Sequence, residues 1–513
     1  MKINNLFSLL FTISSVQICL AQATELPLLQ INKLKYEGAF TIPGNEYGDS
    51  NANYASGTLA FNSANNSLFL AGFNLHGAVA EFSIPILVNS TNLNDLNSAS
   101  ILQNFRSILN ATPDSNPQNI DRISGLYLFN NKLIVNALEY YDAAANNSHT
   151  TLIVDNASAI ETSAITGYFS LNGEAHASGW ISEIPTEWQT LLGGSHITGN
   201  SSKYPINSRL AMGISAFSFN VTDLINASTT NISTTTLLNF DLSNPLYADF
   251  NTYYNANYNV LELNGTTFSG HTSADADIVV GTNNLWTEQS QASYGFIVPN
   301  TRTYITIGSS SGHNSGIGYK AKQNNGNVCG GPCAYDAEDN YNYYWLWDVN
   351  DLLAVKNGTS EAYSVRPYAY GEFSVPFQYD AYSSTPEHHE IVGGTYDADS
   401  NLLYLSIYDG ASTGAYDVIP VIVAYSIDQE SLSVDELEMN TSIKLIPNPA
   451  KNTFSFTITS GKFEELIIYN NLGQRVNSST SQQIDITMLN SGVYVVKFKF
   501  EGGNIISKRL VVE

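Results

Sequence analysis

The chain has 513 residues with 21 Lys plus Arg against 46 Asp plus Glu, a formal charge of −25, and 43% hydrophobic residues. That length allows two or three domains with a large core, and that charge excludes the broad positive field that nucleic acid or an anionic membrane would need as a partner. Tyr is abundant at 31 residues, Arg is scarce at seven, and with many Asn, Ser, Thr and Gly the composition predicts an all-β, turn-rich extracellular protein.

At the start, Lys2 precedes an apolar stretch from Leu6 to Leu20 and then Ala21-Gln22-Ala23, the small residues that a signal peptidase reads. Residues 1–23 are therefore expected to be a signal peptide. The run is too short for a convincing spanning helix and no later one approaches about 18 apolar residues. A monomeric mature chain without a transmembrane segment is the expectation.

Residues 24–435 become legible through an internal repeat. One phrase recurs as Gly38-Ala-Phe40-Thr-Ile-Pro43, Gly167-Tyr-Phe169-Ser-Leu-Asn172 and Gly371-Glu-Phe373-Ser-Val-Pro376. A second, Ser/Gly-rich strand recurs five times, at Ser56 to Phe61, Ser124 to Phe129, Ser178 to Ile181, Ser293 to Val298 and Val392 to Tyr396. Asn- or Asp-bearing turns and further apolar strands follow it, as in Leu68 to Phe73 and Leu403 to Ile407, which predicts hairpins and then third strands, the last at Val421 to Ile427. Repeated four-stranded meanders predict a five-bladed β-propeller. The last third strand has no outer strand after it, so the N-terminal strand Gly38 to Pro43 is expected to close the final blade. Long insertions, within 195–255 and at 309–341, are expected to decorate one face.

In such a ring the loops that lead into the five Ser/Gly strands converge beside the axis. They carry Asp49 and Tyr54, Asp121 and Arg122, Glu174 and His176, Trp286 and Glu288, and Glu387-His388-His389-Glu390. Glycoside hydrolysis needs two carboxyl groups across the scissile bond, one protonated and one ionised, and Asp49, Asp121 and Glu174 are the candidates. Their order is similar to the Asp, Asp, Glu arrangement of five-bladed arabinanase and xylosidase families, although none of the flanking motifs of those families is present. A polysaccharide lyase would instead use His176 or Tyr54 as base and Arg122 or a His pair to neutralise a uronate. Tyr54, Arg122 and His176 all stand three residues before the Gly of their strands. The third reading is a lectin-like binder, with Trp286 as a stacking platform and Glu288 and Glu390 as polar contacts. No motif requires a cofactor. A divalent metal such as calcium is an alternative, with His388 and His389 as ligands and His271, Asp275 and Asp277 as a second set, yet neither set has a recognised spacing. For each residue taken singly, the bland reading is a loop cap, a turn or a solvated charge.

Cys329 and Cys333 flank Gly-Gly-Pro, a loop tight enough to bring both sulfurs into a local disulfide in an oxidising compartment.

After a linker at 436–441 the texture changes. Residues 442–513 contain Ile443-Lys-Leu-Ile-Pro-Asn-Pro449, alternating strands at Thr453 to Ile458 and Glu465 to Tyr469, an Asn471-Leu-Gly473 turn, Ser491-Gly-Val-Tyr494 and a closing Lys508-Arg-Leu-Val-Val512. Period-2 alternation predicts a small antiparallel sandwich. This stretch resembles the C-terminal sorting domain of the type IX secretion system of Bacteroidetes. The resemblance implies a secreted or outer-surface protein and a partnership with that secretion machinery. Together with the address, the loop constellation points to extracellular polysaccharide as the substrate or ligand.

Overall fold

In a computed structural model, the described residues are 23–512 except 114, 143, 145, 202, 204–211, 242, 247–259, 264–265, 270–283, 380–386, 413–416, 429–442, 459–462, 471–474 and 501–504. The expected signal peptide up to residue 22, the linker, the Asn471-Leu-Gly473 turn and the second candidate metal set, His271, Asp275 and Asp277, lie outside them. Chain contacts divide the molecule into two compact units, 1–427 and 428–513.

The all-β expectation holds. The first unit contains five antiparallel sheets of four strands, apart from two-residue parallel additions. The first sheet runs Leu59–Asn62, Ser67–Ala71, Ala78–Ser83, Ile101–Ser107, and the second Arg122–Phe129, Lys132–Leu138, Thr151–Val154, Ile165–Leu171. The third runs Ile181–Glu183, His196–Thr198, Ala216–Phe219, Thr235–Leu238. The fourth runs Gln291–Ile297, Thr303–Ser311, Asn340–Asp348, Ala369–Glu372. The fifth takes Ile391–Asp397, Leu402–Ile407 and Val421–Ile427, and its fourth strand is Leu34–Thr41 from the other end of the unit. Phe40 pairs with Ile422 there and is wholly buried. Thus the repeated Gly-x-Phe phrase is a fourth strand in three sheets, and its Phe side chains are buried in each.

The first strand of every sheet packs against that of the next, and the fifth packs back onto the first, so the five sheets form a closed ring. The Ser/Gly pattern explains the closeness. A Cβ on Gly125 would lie 1.9 Å from the carbonyl oxygen of Gly179, and one on Gly393 would lie 2.2 Å from that of Gly57, so only glycine lets these backbones meet. The serines tie neighbours together: Ser124 Oγ donates to the Ser178 carbonyl, and Ser293 Oγ to the Ile391 carbonyl at 2.9 Å. In the first and third sheets strand pairing begins only after the Ser-Gly pair. Residues just ahead of the closing strand are also seated, Leu29 N–H donating to Thr303 Oγ1 and Tyr368 OH to the Leu29 carbonyl.

Two similar segments, Asn220-Val-Thr-Asp-Leu224 and Asp348-Val-Asn-Asp-Leu352, follow third strands and open short helices, Val221–Ile225 and Val349–Lys356, the second capped by Asp348 accepting from Asn350 N–H. Within the insertion at 309–341, Ile317–Tyr319 pairs with Pro332–Ala334, and Cys329 and Cys333 form a disulfide with Cα atoms 6.4 Å apart.

The second unit has two sheets, one of Lys444–Ile446, Thr453–Thr457 and Gln483–Asp485, the other of Arg475–Ser479, Phe463–Tyr469, Gly492–Phe500 and Ile505–Val512. Phe454, Phe456 and Ile484 of one share a core with Leu466, Ile468, Val496, Phe498 and Leu510 of the other. Alternation in sequence thus becomes alternation of faces. Asn448 of the Pro-Asn-Pro start accepts from Val511 N–H, tying the beginning of the domain to its last strand.

Candidate binding site at one end of the ring

A cavity of about 280 Å³ opens at the end of the ring where the first strands begin, and all five sheets line it. The first sheet contributes Ser56 and Asn74, the second Arg122 and Tyr140, and the third Trp180, Asn200 and Lys203. Ser293 and Ser309 come from the fourth, Glu390 and Tyr408 from the fifth. Antiparallel pairing dictates this membership, because the start of each first strand lies beside the end of the second. Arg122 faces Leu138, Gln291 faces Ser309, and Ile391 faces Ile407, so the residues just beyond each second strand reach the same place.

Charge in the cavity is arranged in two groups. Arg122 Nη1 lies 3.0 Å from Asp121 Oδ2, its guanidinium carbon is 5.1 Å from the centre of the Tyr140 ring, and Asp121 Oδ1 accepts from Tyr140 N–H at 2.8 Å. Lys203 Nζ donates to both carboxylate oxygens of Glu390. Burial pushes the Glu390 carboxyl up, but the Lys203 ammonium more than offsets it, with help from His388 and Ser309, and holds the group below the ordinary carboxylate range. Burial drives the neighbouring His388 imidazole down to about 4, with Lys203 and His389 acting in the same direction against Glu390. The Tyr408 hydroxyl is pushed up to about 12 by burial, with Asp409, Tyr54 and Glu390 adding to the shift.

Of the residues singled out in the sequence, Arg122 and Glu390 line the cavity and Asp121 sits behind Arg122. The others are not among its described lining residues. Tyr54, at φ +52, packs its ring edge-on against Phe73. His176 is buried, with Nδ1 at 2.6 Å from Asn239 Oδ1, in a one-turn helix that Glu174 starts half-buried at φ +53. Asp49 Oδ2 accepts from Ser107 N–H and so caps the outer strand of the first sheet. Trp286, expected as a sugar platform, is 1% exposed and packs against Trp345 at 5.2 Å, so its apolar area completes the core instead. Glu288 is half-buried and is not among the lining residues.

The proposed metal pair is divided by the alternation of its strand-like segment. His389 Nδ1 is 2.9 Å from the Phe377 carbonyl, while His388 lies near the Tyr379 ring. Among the described residues no group of three or more His, Cys, Asp or Glu is placed to hold a metal ion.

Sequence reasoning overlooked Lys203, Tyr140, Tyr408, Asn74 and Asn200. Each follows a second strand, and that position is visible in the repeat once both ends of the hairpin are considered.

Comparison with known proteins bears on the second unit. Residues 444–513 match the secretion system C-terminal sorting domain. The protein is therefore a secreted or cell-surface protein of the Bacteroidetes type IX route, and its tail is the part that engages that machinery. No described helix is long and apolar enough to cross a membrane. No curated protein matches the chain. Solved structures similar to it include the extracellular domain of a protein described as a hybrid two-component system of B. thetaiotaomicron, at 10% identity and TM-score 0.28, with 93% of this chain and 59% of that one covered. A second such extracellular domain from the same organism matches at 9% identity and TM-score 0.23, with 92% and 57% covered. The chain thus spans less than two thirds of the length of these structures.

Proposed function

We propose that this protein is a secreted glycan-binding protein whose ring of five sheets, a five-bladed β-propeller, presents a saccharide-sized cavity at the end where its first strands begin. The observation that carries the reading is the cavity's composition. Side-chain hydroxyls and amides from Ser56, Ser293, Asn74 and Asn200 surround a fixed ion pair and a partly exposed Tyr140 ring. That is the mixture of directional polar groups and aromatic surface that orients a small polyhydroxylated ligand. At about 280 Å³ the space suits one or two sugar rings rather than a long chain lying flat.

Binding is favoured over bond cleavage. A glycosidase needs one carboxyl group kept protonated beside a second that is ionised. Among the described lining residues Glu390 is the one carboxylate, and Lys203 holds it ionised. Elimination needs a base active near neutral pH, whereas Tyr408 is pushed to about 12 and His176 is buried against Asn239.

The test is an array of neutral and uronate-bearing oligosaccharides, followed for retention, for new reducing ends and for ultraviolet absorbance of an unsaturated product. Retention without either product supports the reading, and Tyr140→Ala should weaken it. Products that vanish in Glu390→Gln would replace it with an enzymatic one.

A further inference from the structure

The described lining of the cavity is less acidic than the chain around it. Acidic residues outnumber basic ones by 46 to 21 over the sequence, yet the charged residues among the described lining are Arg122, Lys203 and Glu390, two cations and one anion. Lys203 and Glu390 neutralise one another, and Asp121 pairs with Arg122 through Nη1, so what an incoming ligand meets is the open side of the Arg122 guanidinium.

Arg122 is unusually well prepared for that task. Asp121 bonds one side of the guanidinium and the Tyr140 ring lies against it, so its orientation is fixed before any ligand arrives. Its polar contacts, to the Asp121 carboxylate and the Asp121 carbonyl, both run through Nη1. Among the described residues the Nη2 and Nε donors have no protein partner, and the side chain keeps 22% of its surface exposed where it lines the cavity. A planar pair of donors beside a sugar-sized space matches a carboxylate accepting two parallel bonds. Next to it the Lys203 and Glu390 pair offers both N–H donors and carboxylate acceptors, which suits ring hydroxyls rather than a second acid group.

We propose that the cavity selects an acidic saccharide, the uronate carboxylate pairing with Arg122 and the neighbouring hydroxyls with Lys203 and Glu390. This rests on the glycan-binding reading and deepens it by naming the ligand class.

The experiment is calorimetry at 0.15 M salt with the whole secreted protein and matched oligosaccharides, galacturonate against galactose and glucuronate against glucose, together with succinate as a carboxylate that is not a sugar. The uronates should bind at least tenfold more tightly than their neutral partners and than succinate. Arg122→Gln should bring acidic and neutral sugars to the same affinity, and Arg122→Lys should restore part of the difference. Glu390→Gln weakens an acceptor used by both classes but frees the Lys203 charge, so neutral sugars should lose more affinity than uronates. Equal binding of neutral and acidic sugars by the native protein, or a preference that survives Arg122→Gln in a variant with an unchanged melting temperature, would overturn the assignment while leaving glycan binding intact. Succinate binding as tightly as galacturonate would overturn the saccharide part of it. Failure of every sugar to bind would remove the broader reading as well.

Discussion

Lys203 donates to both carboxylate oxygens of Glu390, 187 residues away in the chain. Lys203 follows the second strand of the third sheet and Glu390 precedes the first strand of the fifth, so the pair spans the cavity between them. Lys203→Met should leave Glu390 without its counter-charge in a partly buried place, raise its pKa and cost about 2 kcal/mol. Chemical denaturation at pH 7 measures the loss. A variant as stable as the native protein would mean that the pair contributes nothing.

The narrow centre of the ring predicts a steep difference between two glycine substitutions. Gly125→Ala places a methyl group 1.9 Å from a backbone oxygen, which no side-chain motion relieves, and should cost about 3 kcal/mol or more. Gly330→Ala meets nothing within 4 Å and should be neutral to within about 0.5 kcal/mol. Melting curves of the two variants decide the matter, and equal midpoints would contradict the packing described.

Glu81 is 1% exposed and has four side-chain donors around its carboxylate: Asn62 at 2.8 Å, Asn65 at 3.1 Å, Ser67 at 2.5 Å and Gln103 at 2.5 Å. With Glu81 on the third strand, these donors join all four strands of the first sheet and the turn between the first two. Glu81→Ala strands buried donors and should destabilise the protein by about 3 kcal/mol. A loss under about 1 kcal/mol in urea denaturation would show that the donors find other acceptors.

His196 is buried among Tyr127, Phe129 and Phe219, and burial lowers its pKa to about 3. The unfolded chain takes up a proton at this residue below about pH 6.5, whereas the folded one does not until about pH 3. Its contribution is therefore intact above about 6.5 and is lost as pH falls through that window, by up to about 5 kcal/mol. His196→Leu should shrink the difference in stability between pH 7 and pH 4. An unchanged difference would assign the acid sensitivity to other groups.

Closure by the N-terminal strand gives the last expectation. Phe40→Ala empties a fully buried site on a strand that joins the two ends of the unit, and should cost about 3 to 4 kcal/mol. Limited proteolysis should then release the segment before Ile42 ahead of any cut elsewhere. Simultaneous cutting throughout the unit would argue against a local opening.

The sequence by itself determined the strand content, the five repeats, the borrowed closing strand and the sorting tail, because period-2 alternation, Ser/Gly pairs and the Pro-Asn-Pro start are local patterns with local physical causes. It also pointed to Arg122 and Glu390, since both precede a repeated strand. It did not reveal Lys203, Tyr140 or Tyr408, which enter the cavity because antiparallel strands bring the end of the second beside the start of the first. Nor did it separate Trp286 and His176 from the site. Position in the repeat says which end of a sheet a residue occupies, but whether its side chain turns to the axis or to the core depends on neighbours such as Trp345 and Asn239 that arrive from distant parts of the chain. Only the tertiary structure decides that, because burial is a property of the packed ring and not of any one strand.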